Sequence, residues 1–189
     1  KLVVNILIVS GHTNLDDSVA NKEILYRLKE LLPDLEFDLL SELYPDYKID
    51  VEKEQEKLKK ADIIVLQYPI FWYSMPSLLE KWMEEVFQHG FSHGTTGDKL
   101  KGKKLIISFT TGAPEEAYTK EGRMAYTIED FLNPIKATCK QCQMVYYGAV
   151  KTYGVSYQIR QEKSKEIKEK ALKHAKELAE MLKEIKNDQ

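Results

Sequence analysis

The sequence predicts a three-layer α/β sandwich, a five-stranded parallel sheet with helices on both faces, and three observations carry that expectation. Strand-like and helix-like stretches alternate along the chain, the pattern of repeated βαβ units with right-handed crossovers. Two strand candidates, Val3–Ser10 and Ile63–Leu66, are near-continuous apolar runs, as in central parallel strands buried on both faces. A long amphipathic stretch closes the chain near Gln161–Lys186. There Ile167, Ala171, Ala175, Leu178, Leu182 and Ile185 recur at close to helical period, and Lys and Glu fill the solvated face.

Taken in order, the strand candidates are Val3–Ser10, Glu36–Leu40, Ile63–Tyr68, Lys104–Thr110 and Met144–Val150. Helical stretches lie between them near Ser18–Leu32, Val51–Lys60, Pro76–Gln88 and Met124–Cys139. Nothing in the 189 residues marks a repeat, a low-complexity segment or a linker, so a single domain over 1–189 is expected, with the glycine-rich Gly90–Gly102 as a functional loop. The composition, 43% hydrophobic and 31% charged, is that of an ordinary soluble chain. A formal net charge of −2 argues against nucleic-acid binding and gives no reason for attachment to anionic membranes. The longest nearly apolar run, Ile63–Tyr73, contains Gln67 and Pro69 and is too short to span a bilayer. Val3–Val9 reads as a strand rather than a signal sequence, and the opening Lys1 in place of Met implies that a few residues precede it in the natural protein.

Two cysteines form a lone CxxC at Cys139 and Cys142. It reads as a redox pair, as half a metal site, or more simply as two small buried hydrophobes. No second CxxC or histidine pair completes a zinc site, so the last reading is preferred. His89 and His93 have helical metal-ligand spacing, but Gly90 and Gly94 argue against a helix, and no metal is expected there.

Ligands of open α/β sheets bind beyond the carboxyl ends of the strands. The loop after the first strand, Ser10-Gly11-His12-Thr13-Asn14-Leu15-Asp16-Asp17-Ser18-Val19-Ala20-Asn21, is rich in hydroxyls and amides and feeds a helix. It suits a phosphate at the helix N-terminus, and it equally suits plain helix capping by Asp16, Asp17 or Ser18. In the phosphate case Asp16 and Asp17 must point away. The loop is neither GxGxxG nor a P-loop, which disfavours a dinucleotide-fold dehydrogenase or an NTPase. After the third strand, Gln67-Tyr68-Pro69-Ile70-Phe71-Trp72-Tyr73-Ser74-Met75-Pro76 packs aromatics into a surface loop. They offer a platform for a flat conjugated ring, unless the loop folds back as core or docks a second subunit. The Gln67-Tyr68 strand end lacks the aspartate of a phosphoacceptor receiver domain. Apolar residues Leu78, Leu79, Trp82, Met83, Val86 and Phe87 of the next helix read as core or dimer surface. After the fourth strand, Thr110-Thr111-Gly112-Ala113-Pro114 offers close backbone approach to a ligand, or no more than a tight turn.

Read together, several strings in order carry a family resemblance: Leu43-Tyr44-Pro45-Asp46 with Ile49-Asp50, then Trp72-Tyr73-Ser74-Met75-Pro76, Val86-Phe87 with His89-Gly90, and Thr110-Thr111-Gly112. The chain resembles the flavodoxin-like NAD(P)H:quinone oxidoreductases of the DT-diaphorase type. Among these it is most similar to the bacterial ancillary proteins of glutathione-gated potassium-efflux systems and related general-stress oxidoreductases. The resemblance implies a flavodoxin-like sheet of strand order 2-1-3-4-5 and bound FMN, with FAD as the alternative. It places the phosphate end at His12, Ser18, Val19, Ala20 and Asn21, and the isoalloxazine ring against Ile70, Phe71, Trp72, Tyr73, Thr110, Thr111, Gly112 and Ala113. Tyr118 lies where such enzymes put a polar aromatic near substrate. One departure weakens the FMN-over-FAD assignment: a further glycine often follows Thr-Thr-Gly, and here Ala113 and Pro114 stand, the proline without an N–H.

What the resemblance implies chemically is two-electron, ping-pong reduction of a quinone-type acceptor by NAD(P)H, the cofactor supplying the chemistry and the protein the orientation. No arginine marks an NADPH-specific reader. It also implies a homodimer with Trp82–Phe91 at the subunit contact and a cytoplasmic location. The rival role is a regulatory subunit of a potassium-efflux transporter at the inner membrane, with flavin as structure or signal.

Overall fold

The computed structural model describes residues 3–188. Aliphatic residues make β1 (Ile6–Ser10), and all five of its residues are buried. After it come α1 (Ala20–Leu31), β2 (Glu36–Leu39), the single turn α2 (Leu40–Leu43), α3 (Val51–Lys60) and β3 (Ile63–Pro69). Then follow α4 (Ser77–Val86), β4 (Lys104–Thr110), α5 (Asn133–Gln141), β5 (Val145–Thr152) and α6 (Ser164–Asn187). The strands form one sheet in the order β2-β1-β3-β4-β5, and every pairing is parallel. From β1 the chain turns one way to β2 and the other way to β3, so the loops leaving β1 and β3 part and a crevice opens beyond their carboxyl ends.

The apolar runs divide between two layers by strand alternation. Leu7, Val9, Ile64, Leu66, Leu105, Ile107 and Phe109 face a core built with Leu58 of α3, Leu79 and Trp82 of α4 and Ile135 of α5. Ile6, Ile8, Ile63, Val65, Ile106 and Val150 face the other side, where Ile24 and Leu28 of α1 meet Ala175, Leu178 and Leu182 of α6. Each fully buried aliphatic side chain contributes about 1.5–3 kcal/mol of burial free energy, so the two layers together dominate the stability. Gly11 lets β1 end against α4, because a Cβ there would stand 2.6 Å from Leu79 Cδ2.

The expected bounds of α3 and β4 coincide with those found, whereas β1 starts three residues later than the apolar run suggests. The expected helix over Met124–Cys139 is shorter. Ala125 sits at φ 62, a 3₁₀ turn with a Thr127/Asp130 capping box covers Ile128–Leu132, and α5 begins only at Asn133. The reason is Pro134, which has no N–H to bond backwards and is tolerated only in a first turn.

Candidate functional site

A cavity of about 190 Å³ opens where β1, β3 and β4 end. Its polar end is made by His12, Ser18 and Asn21, with Val19 and Ala20 leading into α1. The first N–H groups of a helix have no intrahelical acceptor and carry partial positive charge. Ser18 Oγ accepts from Asn21 N–H at 3.0 Å, which leaves its own O–H free to donate. Capping and anion binding are thus compatible in one residue.

His12 is buried, and desolvation lowers its pKa to about 4 although Asp17 pulls the other way. The ring is therefore neutral. Asn14 N–H donates to its Nδ1 at 2.9 Å, which puts the ring proton on Nε2, a donor toward the cavity. The imidazole meets Phe71 edge-on, with centroids 5.8 Å apart.

Phe71 and Ser74 exchange N–H···O bonds of 3.0 Å in both directions, making Trp72 and Tyr73 the tip of a two-residue turn. Both tip residues have positive φ, 47° and 66°. Turns of that kind favour Asn and Gly, and bulky residues there are strained by roughly 1–3 kcal/mol each. Strain of this kind clusters at functional segments. Trp72 is left 91% exposed at the tip. Ile70 N–H bonds to Thr110 O at 2.9 Å and Thr111 N–H to Thr152 O at 2.9 Å, so the sheet ladder fixes the two loops as the cavity's floor.

Ten of the thirteen residues expected at a cofactor meet in this cavity: His12, Ser18, Val19, Ala20, Asn21, Ile70, Phe71, Thr110, Thr111 and Gly112. Trp72, Tyr73 and Ala113 do not line it. Tyr73 turns to a smaller cavity of about 80 Å³ shared with Tyr68, Met75, Glu80 and Phe131. Ala113 faces the core with its carbonyl held by Thr111 Oγ1 and Gly154 N–H. Tyr118 is buried against Phe131 and Tyr153, and burial raises its pKa. Cys139 and Cys142 are buried thiols, and desolvation pushes Cys139 up to about 11, the behaviour of packing residues.

Sequence reasoning missed a fourth wall. Val155, Tyr157, Arg160 and Ile167, from the segment after β5, also line the cavity. Arg160 stacks on Tyr157, its Cζ 3.5 Å from the ring centroid, and bonds Asp17 through Nε to the carbonyl and Nη2 to the carboxylate. Tyr157 O–H donates to the same carboxylate. Neither Asp16 nor Asp17 lines the cavity, and the Asp17 carboxylate is held by Arg160 and Tyr157 instead. The available signal was an aromatic and an arginine just beyond a strand end.

Donors at one end and an apolar, partly aromatic wall at the other fit an anionic tail carrying a flat ring. Among the described residues no helix is long and apolar enough to cross a membrane. A family model described as a flavodoxin-like fold matches residues 4–178. Among relatives, the uncharacterised NAD(P)H oxidoreductase YrkL of Bacillus subtilis is 40% identical over 148 residues, 78% of this chain and 84% of that one. The glutathione-regulated potassium-efflux system ancillary protein KefG of Enterobacter sp. is 37% identical over 148 residues, 78% of this chain and 80% of that one. Among solved structures, the general stress protein 14 of Treponema denticola in complex with FMN superposes with TM-score 0.81 at 28% identity, covering 90% of this chain and 95% of that one. An NADPH-quinone reductase from P. pentosaceus superposes with TM-score 0.73 at 25% identity, covering 89% and 98%.

Proposed function

The chain belongs to the flavodoxin-like fold family, and from that premise we propose that it is an FMN-dependent NAD(P)H oxidoreductase reducing quinone-type acceptors. The observation that carries this reading is the single cavity in which a helix N-terminus, His12 Nε2–H and the Ser18 hydroxyl face Phe71 and the Thr110-Thr111-Gly112 turn. The α1 end with His12 and Ser18 would hold the FMN phosphate, and Ile70, Phe71 and Gly112 would hold its ring. FMN, when bound, passes a hydride from NAD(P)H to the acceptor; with one proton from solvent a quinone becomes its hydroquinone. The protein's part is to hold and orient. Neutral His12 would donate without adding charge, Arg160 would bring a cation to the cavity wall while offsetting Asp17, and the strained turn holds Phe71 in the wall with Trp72 exposed at its tip.

Trp72 and the cavity containing Tyr73 also suit cover by a second copy of the chain, and we place the protein in the cytoplasm as a homodimer. The similarity to KefG supports a second role beside the first, contact with a potassium-efflux transporter. Incubation with FMN followed by gel filtration is expected to give a yellow protein that keeps its flavin; a colourless fraction overturns the reading. Steady-state kinetics with NADPH and a benzoquinone should give parallel double-reciprocal lines, and intersecting lines would refute a shared donor and acceptor site.

A further inference from the structure

The face of the sheet under α1 and α6 is apolar except for one row of side chains. Ser10, Gln67, Ser108, Thr110 and Thr152 stand on that face by strand alternation, near the carboxyl ends of their strands. His174 of α6 reaches this row and is 1% exposed. Five contacts join the row, except Ser10, whose buried Oγ has no partner, into a line with His174 and Asn21 of α1. Thr152 Oγ1 lies 2.8 Å from His174 Nδ1, and His174 Nε2 lies 2.6 Å from Ser108 Oγ. Ser108 O–H donates to Gln67 Oε1. Gln67 Nε2 donates to Asn21 Oδ1 at 2.8 Å, and Asn21 Nδ2 to Thr110 Oγ1 at 3.1 Å. Asn21 and Thr110 line the cofactor cavity, while His174 does not.

Such a line has only two self-consistent senses, because each amide offers oxygen on one side and N–H on the other, and each hydroxyl has one proton. Burial depresses the His174 pKa to about 3, so the ring is neutral and carries its proton on one nitrogen. In the sense found here Gln67 and Asn21 both donate toward the cavity. Ser108 has then given its proton to Gln67 and must accept from His174 Nε2–H, and Nδ1 accepts from Thr152. At the far end Thr110 Oγ1 already accepts from Asn21, so its O–H is free to donate into the cavity. In the opposite sense the Thr110 proton is spent on Asn21, and the cavity meets only a lone pair.

We propose that His174 is a remote positioning residue, whose Nε2–H tautomer, relayed through Ser108, Gln67 and Asn21, makes the Thr110 hydroxyl a hydrogen-bond donor to the bound cofactor. The inference rests on the FMN reading above. It assigns a role to a histidine that touches neither cofactor nor substrate. It also accounts for a buried polar line across a layer otherwise made of aliphatic side chains, since buried polar groups are retained at a cost unless all are satisfied.

The tautomer is read in the apoprotein by ¹⁵N-correlated NMR of the imidazole. Protonated Nε2 with bare Nδ1 is expected, and the Nδ1–H form overturns the proposal without any cofactor being present. Affinity for FMN, followed by flavin fluorescence, gives the second readout. His174→Leu breaks the line, and loss of one donated hydrogen bond should weaken FMN by roughly tenfold. His174→Gln keeps one N–H and one acceptor and should stay within about twofold of the parent. In a Thr110→Val background His174→Leu should change the affinity no further, because the hydroxyl through which it acts is gone. If the two losses multiply, or if His174→Gln is as weak as His174→Leu, His174 is merely structural and the proposal fails. Should His174→Leu not fold, Ser108→Ala cuts the same line one link along and is read in the same way. Failure of the parent chain to bind FMN would sink the cofactor reading, whereas tight FMN binding with the Nδ1–H tautomer would sink this inference alone.

Discussion

The two faces of the sheet each bury a polar cluster, and the clusters are built on opposite principles. Under α1 and α6 the line from Thr152 through His174 and Asn21 to Thr110 contains no charge and ends at the cavity beyond β1, β3 and β4. Under α3 and α4 the members are charged and close on themselves. Lys57 Nζ bonds Asp38 Oδ1 at 2.8 Å and Glu54 Oε2 at 2.9 Å, Tyr44 O–H donates to Glu54 at 2.8 Å, and Trp82 Nε1 donates to it at 2.9 Å. None of these residues lines either cavity. Instead they tie β2, the end of α2, α3 and α4 together. Glu54 accepts from Lys57, Tyr44, Trp82 and a protonated Asp38 and stays ionised. Asp38 Oδ2 has no donor against it, and burial with an O–H aimed at Glu54 raises Asp38 to about 8. A directional neutral line transmits orientation, and a closed charged knot fixes elements in place.

The sharpest way to break the comparison is Glu54→Ala. It leaves Lys57 without one partner and buries two unsatisfied donors on Tyr44 and Trp82, which should cost about 3–5 kcal/mol of unfolding free energy in a urea titration. FMN affinity of the fraction that folds should stay within about twofold, since no member of the knot lines the cavity beyond β1, β3 and β4. A loss below about 1 kcal/mol, or a parallel loss of flavin, would show that the two clusters are not separate in function.

Acidity separates them by sign. His174 and His12 have folded pKa values of about 3 and about 4, below the ordinary 6.5. The unfolded chain takes up protons there that the folded chain refuses, so their stabilisation is complete above about 6.5 and is lost as pH falls toward 3–4. Asp38 is the reverse. Its folded value is about 8 against an ordinary 3.8, so the folded chain keeps a proton the unfolded chain has released. That contribution is complete below about 3.8 and is lost as pH rises through about 8. Each group can supply a slope of up to about 1.4 kcal/mol per pH unit, two rising and one falling below 6.5, so these groups place maximal stability near pH 6.5. Urea midpoints across pH should show His174→Gln removing most of the net rise between about pH 4 and 6.5, because the one remaining histidine is then offset by Asp38, and Asp38→Asn removing the alkaline fall. An unchanged alkaline limb in Asp38→Asn would mean the proton is not held there.

Much of the architecture was legible because burial on both faces writes itself as continuous apolar strands. The expected bounds of β4 and α3 match to the residue, and Asp50 fixes the start of α3 by accepting from Lys53 N–H. The loops after β1, β3 and β4 were ambiguous residue by residue, since capping, core packing and a tight turn use the same hydroxyls, amides, aromatics and glycine, and only their occurrence together in a family-like order pointed to a ligand. The rest depends on what sequence spacing does not encode. Which of Phe71, Trp72 and Tyr73 faces the cavity is decided by a two-residue turn that sends neighbours in different directions. Arg160 meets Asp17 across 143 positions, and His174 meets Ser108 across 66, contacts that need the sheet order and the rotation of α6. Gln67 did show as an interruption in an apolar run, though its partners Ser108 and Asn21 could not be read from spacing.

A third polar cluster, half in water, sets the lower bound of the comparison. Asp17 and Arg160 keep 39% and 21% of their side-chain surface exposed, so solvent screens their attraction. Arg160→Ala should therefore cost at most about 1 kcal/mol of stability, most of it gone at high salt. Its effect on FMN should be larger than its effect on folding, because Arg160 lines the cavity and its removal leaves the Asp17 carboxylate, next to the cavity residue Ser18, without its cation. A several-fold loss of affinity at low ionic strength, shrinking as salt is added, is the expected outcome of fluorescence titrations. Asp17→Asn provides the opposite arm: with the repelling charge removed and Arg160 released from it, FMN should bind as well as in the parent or better. If both variants weaken FMN equally and without salt dependence, the clasp is a packing contact like the Glu54 knot, and only the neutral line under α6 connects a polar cluster to the cavity.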